Sequence, residues 1–209
     1  MPLEAAVPTK TEPSSPAKRE QLLTAGRAVF SERGFHAATV DQIAESAGVG
    51  KGTVYLYFRS KQELYVAIME HDLEELHAET VQEMSKSGTA LDRIRAYMRV
   101  RCAFAERRHD FLRLLATESP ILVGRNEPLA RLIGVTHPER SLLLLKHVLE
   151  DAINQGEMRN VSLDSAARLL YDLTVGMVRR RLTTDSDLNM EHELDVALDV
   201  LWRGLGGAR

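Results

Sequence analysis

Between Ser46 and Gln62 the chain carries Lys51, Arg59 and Lys61 and no acidic residue, in a protein whose formal net charge is -3. Thr53, Tyr55 and Tyr57 lie among those cations, while Val54 and Phe58 take the apolar positions one turn apart. The hydroxyls and rings therefore fall on the face that a core does not use. Cations for phosphates, hydroxyls for base-edge acceptors and a flat ring for a thymine methyl are what a helix laid in a DNA major groove requires. No nucleophile–base pair, phosphate-cradling loop or metalloprotease helix occurs, so an enzyme reading has no residues to stand on. Glu70, Glu74 and His77 share a helix face, which reads as a solvated face and not as a metal site.

Local signals position these groups. Thr39 is an N-cap with Gln42 three residues on, the pattern of a capping box. Ile43, Ala44 and Ala47 then recur at helical spacing, with Ala44 small where a crossing helix must come close. Gly48 falls where the chain turns sharply, because glycine reaches positive φ without steric cost. Val49 plugs the corner, and Val54 and Phe58 return the apolar face. Two short helices joined by a tight turn at this spacing make a helix-turn-helix. Ser60 and Glu63 form a second capping box, so Lys61 sits at a helix N-terminus where N–H groups and the dipole favour a phosphate.

The run GVGKGTVYLYFRSKQEL, with TVDQIAESA before it, resembles the DNA-binding domain of the tetracycline-repressor (TetR) family of transcription regulators, over about Lys18 to His71. The resemblance implies an all-α protein of about nine helices: an N-terminal three-helix domain and a C-terminal helical domain for ligand binding and dimerisation. It implies that Val40 to Ala47 supports a reading helix, Lys51 to Tyr57, and that Thr39, Val40, Lys51, Gly52, Thr53, Tyr55, Tyr57 and Lys61 meet DNA. Thr53 and Tyr55 are expected on bases, Lys51 on a base or a phosphate, and Thr39, Tyr57 and Lys61 on phosphates. Gly52 brings no side chain, so readout rests on fewer residues. The implied function is a homodimeric transcriptional regulator, a repressor released from its double-stranded DNA operator by a small-molecule effector. The alternative is a dimeric DNA-binding architectural protein with no small-molecule input.

Composition agrees with that class. Of 209 residues 44% are hydrophobic, and long segments rich in Leu, Ala, Glu and Arg argue all-α. The one cysteine, Cys102, excludes an intrachain disulfide and fits a reducing cytoplasm. No stretch approaches the roughly 18 uncharged apolar residues of a membrane span, and the N-terminus lacks an apolar signal core. The expectation is a cytoplasmic protein without membrane partner, cofactor or metal.

The reading divides the chain into a disordered Pro/Ser-rich arm (1–16), the helix-turn-helix domain (17–63) and the ligand and dimerisation domain (64–209). Helix one is expected to stop at Gly34, and Gly26 in its interior has no local reason. A long helix from Lys61 to about Ser85 is a natural lever between the domains. Asp110 opens a short helix, 119–128 is a loop, and Gly156 ends a later helix. The last two long helices carry wide apolar stripes, so a four-helix dimer bundle is expected through Leu173, Gly176, Leu194, Leu198, Leu201 and Trp202. The family resemblance implies a ligand pocket. Its candidate residues are the polar interruptions Arg101, Cys102, Glu118, His147 and Asp172, with Phe104, Phe111 and Met177 as walls. Cys102 reads as a buried, unreactive thiol. Arg179, Arg180 and Arg181 complement a helix dipole.

Overall fold

Eight α-helices follow one another among the described residues, which in this computed structural model are 15–110, 112, 138–183 and 189–205. They are α1 (Pro16–Ala37), α2 (Val40–Ser46), α3 (Lys51–Tyr57), α4 (Lys61–Ser85), α5 (Ala90–Arg107), α6 (Pro138–Asn154), α7 (Leu163–Thr183) and α8 (Met190–Leu205). No strand occurs among the described residues, so the all-α expectation holds. The expected arm (but for its last two residues), most of the short helix opened by Asp110 and the 119–128 loop lie outside the described residues. The chain forms two compact units, Met1–Ile68 and Met69–Arg209, whose boundary falls inside α4.

In the first unit α1 packs on α2, and α2 on α3. Gly34 (φ 77°) breaks the helical run of α1, as expected of a C′ glycine. Leu22, Leu23, Phe30, Ile43, Val54, Phe58, Leu64 and Ile68 are fully or almost fully buried. Phe30, Phe35 and Tyr65 form an aromatic knot, with Phe30 edge-on to Tyr65 at 5.1 Å and Phe35 at 5.0 Å from Tyr65. Gly26 now has its reason. A Cβ there would lie 2.9 Å from Ile68 Cδ1 and 3.2 Å from Leu64 Cδ2, so α4 crosses α1 closely at this glycine and a larger residue would push those side-chain ends aside.

In the second unit α5 packs on α6, α7 and α8, and α6 runs along α7. Ile94, Tyr97, Met98, Leu145, Leu149, Ala167, Leu170, Leu194 and Leu198 fill its core. Thr89 caps α5 by accepting from Asp92 N at 3.1 Å. Gly156 (φ 73°) ends α6 as its position implied: Glu157 N reaches back to Ala152 O and Gly156 N to Ile153 O.

Candidate nucleic-acid interface and ligand cavity

The helix-turn-helix is held by bonds that its sequence announced. Thr39 Oγ1 accepts from Gln42 N at 3.3 Å, and Gln42 Oε1 accepts from Thr39 N at 3.0 Å. The Thr39 hydroxyl proton remains available to a phosphate. Gly48 (φ 61°) closes α2: Val49 N donates to Ala44 O at 2.9 Å and Gly48 N to Glu45 O at 3.0 Å. A further tie was not foreseen. Gln21 Nε2 donates to Ala47 O at 2.6 Å and so seats α1 against the turn.

On α3, Val54 and Phe58 are buried and their neighbours face outward. Tyr55 is 47% exposed, Thr53 and Tyr57 are half-buried, and a Cβ at Gly52 would meet no atom within 4 Å. Val40 is half-buried at the start of α2. Leu56, 59% exposed on the solvent-facing side of α3, was not among the expected contacts. Lys51 donates to Asp41 Oδ2 at 2.8 Å, and that hydrogen bond and charge hold its pKa above the ordinary lysine value. An exposed pair of this kind is weak and exchanges readily for a phosphate.

Lys61 is placed otherwise than expected. Its ammonium donates to Phe35 O at 2.6 Å, His36 O at 3.2 Å and Ala38 O at 2.8 Å, and lies 4.6 Å from the Phe35 ring centroid. It caps the C-terminal end of α1, where orphan carbonyls and the negative end of the dipole attract a cation. The expected phosphate role competes with this cap for the same ammonium. The second capping box is present in variant form: Ser60 Oγ accepts from Glu63 N at 3.0 Å, but Glu63 reaches back to Arg59 N at 2.7 Å. The Arg59 side chain is exposed and has no partner among the described residues.

The second unit holds a cavity of about 160 Å³ lined by α4, α5 and α7, with Leu76, Phe104 and Val178 as apolar wall and Asp72, Arg101 and Thr174 as polar groups. A smaller, more polar cavity of about 70 Å³ shares Leu73, Leu76 and Arg101 with it and adds His77, Arg140, Ser141 and Tyr171. Of the expected pocket residues, Arg101 and Phe104 are here. Met177 is 4% exposed inside the core, and Asp172 is on the exposed side of α7. His147 is largely exposed beside Asp151. Cys102 is buried in the core and borders a different, open cleft, with its thiol pushed up to about 11 by burial. Those four are corrections; Phe111 and Glu118 lie outside the described residues. Thr174 was missed because its hydroxyl is satisfied within its own helix, by Leu170 O at 2.7 Å. Asp72 was a legible signal, a carboxylate at a core position of α4. His71, Asp72 and Glu75 bring potential ligand atoms within 4.8 Å of one another, but Arg108 already serves both carboxylates, at 3.8 Å and 2.9 Å.

The expected dimer residues divide. Leu194 and Leu198 are 1% and 2% exposed in the protomer's own core, which corrects their assignment to an interface. Leu173, Leu201 and Trp202 are half-buried against that core, and Gly176 is exposed with nothing within 4 Å of a Cβ built on it. The exposed large apolar side chains of these two helices are Leu169 and Val175 on α7 and Val196 and Val200 on α8. Leu169, Leu173 and Gly176 share one edge of α7, Val196 and Val200 one edge of α8, and an Arg180–Glu193 ion pair bridges those edges.

Residues 22–68 match the family described as bacterial regulatory proteins, tetR family. The chain is 37% identical over 195 residues to the HTH-type transcriptional activator FasR of Mycolicibacterium smegmatis, covering 90% of this chain and 83% of that protein. It is 25% identical over 169 residues to the HTH-type transcriptional repressor KstR2 of the same species, covering 80% and 81%. In fold it is similar to the transcriptional regulator FadR from Bacillus subtilis, crystallised with stearoyl-CoA. That likeness has a TM-score of 0.73 at 21% identity and covers 89% of this chain and 98% of FadR.

Proposed function

The chain belongs to the tetR family of bacterial regulatory proteins and is a DNA-binding transcriptional regulator; on that premise we propose that it acts as a homodimer released from its operator by a small molecule held in the α4–α5–α7 cavity. The observation that carries the reading is α3 itself. Its buried side, Val54 and Phe58, fixes it, while Thr53, Tyr55 and Leu56 stand outward with Lys51 and Arg59 at either end. Thr53, Tyr55 and Leu56 read bases; Thr39, Lys51, Tyr57 and Arg59 hold phosphates.

A second copy packs on the edges of α7 and α8 that carry Leu169, Leu173, Gly176, Val196 and Val200. A glycine in an exposed helix interior costs about 1 kcal/mol against alanine, and close approach of a partner helix supplies the reason the protomer lacks. The effector acts through α4, which begins in the DNA-binding unit and borders the cavity. Paired half-sites lie about 34 Å apart, so a dimer held wider cannot engage both, and the effector must bind that wider form better. FadR holds an acyl-CoA, which supports an effector with an apolar body here. The fold does not set the sign of transcription, since the relatives named include an activator and a repressor. Repression results where the operator overlaps a promoter.

The test is to sequence genomic DNA fragments retained by the purified protein and to follow run-off transcription from them. Enrichment of a two-fold symmetric site is expected. Retention without sequence preference would favour the architectural alternative.

A further inference from the structure

The arginines of α5 differ in one respect. Arg93 pairs with Asp151 at 2.9 Å, Arg95 with Asp92 at 2.9 Å, Arg99 with Glu191 at 2.6 Å and Arg107 with Glu79 at 2.5 Å. Arg108, at the C-cap, has Glu75 at 2.9 Å. Arg101 has no carboxylate partner among the described residues. Its guanidinium sits over the Tyr97 ring, 4.4 Å from the centroid, and donates a single hydrogen bond, from Nη2 to Ser141 Oγ at 2.7 Å. Arg101 Nε is buried without a hydrogen-bond partner; Arg93 Nε and Arg108 Nε are too, but their guanidinium groups have carboxylate partners. Buried donors without acceptors are rare in folded proteins because each one is expensive. At Arg101 the unpaired donor belongs to a positive charge that no carboxylate among the described residues balances.

Arg101 is also part of the wall common to the two cavities, the apolar one of about 160 Å³ and the polar one of about 70 Å³. The other charges nearby are already matched: Glu74 accepts from Arg140 at 2.6 Å, and Asp72 faces Arg108 at 3.8 Å.

We propose that the two cavities form one site for an amphipathic anion, a small molecule whose carboxylate head binds Arg101 while its apolar body lies against Leu76, Phe104 and Val178. This rests on the effector reading above and adds the chemistry of the head. Arg101 selects anions because a guanidinium gives up its hydration only for a charged acceptor, and charge-assisted bonds are the strong ones. Asp72 repels the same head from the apolar end and so sets the orientation. A cavity of about 150 Å³ takes a benzene-sized guest, so the body is short, on the scale of an eight-carbon chain.

The experiment compares octanoate, 1-octanol and octylamine as probes on the full chain, by thermal shift and isothermal titration. Octanoate is expected to bind at least about tenfold tighter than octanol, the ratio a charge-assisted hydrogen bond supports, and octylamine not at all. Arg101→Met should bring octanoate to the level of octanol while octanol binding stays unchanged. Arg101→Gln keeps a polar side chain facing Ser141, so it folds even if Arg101→Met does not. It should weaken octanoate alone. Equal binding of octanoate and octanol to the wild type, or loss of both probes together in Arg101→Gln, overturns the anion site and leaves the effector cavity standing. Failure of all three probes to bind overturns the cavity reading and this proposal together.

Discussion

Replacing Lys61 with methionine keeps the side-chain stem and removes the ammonium. Three carbonyls at the end of α1 then lose a donor, those of Phe35 at 2.6 Å, His36 at 3.2 Å and Ala38 at 2.8 Å. A hydrogen bond to a charged group contributes about 1.5–3 kcal/mol net. The three share one half-exposed ammonium, so they do not add. The contact with the Phe35 ring, 4.6 Å away, brings about 0.5–1 kcal/mol more. The expected loss is about 2–3 kcal/mol, which lowers the thermal midpoint of a chain this long by roughly 5–10 °C. Urea melts measure the loss directly. Salt titrations of DNA binding decide between the two roles open to this lysine. Each phosphate contact contributes about 0.9 to the slope of log affinity against log salt, so a phosphate-holding Lys61 would take away about two units in a dimer. A capping Lys61 leaves the slope unchanged and lowers stability. A smaller slope with an unchanged urea midpoint refutes the capping role.

The ring of Tyr55 stands in solvent, so Tyr55→Ala should leave the fold intact, cost about 1–3 kcal/mol per half-site on the enriched operator and cost much less on scrambled duplex; equal losses on both would remove Tyr55 from base readout. Gly176 is exposed and a Cβ there meets no atom within 4 Å, so Gly176→Leu should fold normally yet sediment as monomer or weakened dimer, and an unchanged dimer with full DNA affinity would move the interface elsewhere. Because burial pushes the Cys102 thiol up to about 11, its thiolate is scarce at pH 8. Alkylation there should run roughly a hundredfold slower than for an exposed thiol and rise with pH towards 11; a fast reaction at pH 8 would place the thiol in solvent.

The DNA-binding unit was legible because its signals are local. A cap and its partner lie three residues apart at Thr39 and Gln42, and the positive φ that Gly48 adopts is demanded by the residues beside it. Gly26 and Lys61 needed distant chain. The reason for Gly26 is α4, with Leu64 and Ile68 pressed onto it. For Lys61 two rules compete. A helix N-terminus beside it favours a phosphate, and a helix C-terminus about two dozen residues earlier in sequence favours the cation itself. The periodicity of α4 cannot reveal that α1 ends there, so the sequence expectation followed the nearer rule.

The cavity and the dimer face were less legible for the same reason, compounded by helical phase. Leu194 and Leu198 lie on the buried side of α8, while Val196 and Val200, two residues out of step, lie about 200° away at 100° per residue. A wide apolar stripe shows that two sides are covered without showing which residues face which. Pocket residues posed the harder case. α5 carries an arginine every few positions, and each looks alike in sequence. Only the partners on other helices distinguish them: Asp151, Glu191 and Glu79 take up Arg93, Arg99 and Arg107, while Arg101 has only the Ser141 hydroxyl and no carboxylate among the described residues. A charge that the fold half-buries without compensation lowers stability, so its retention beside a cavity is better explained by binding than by folding.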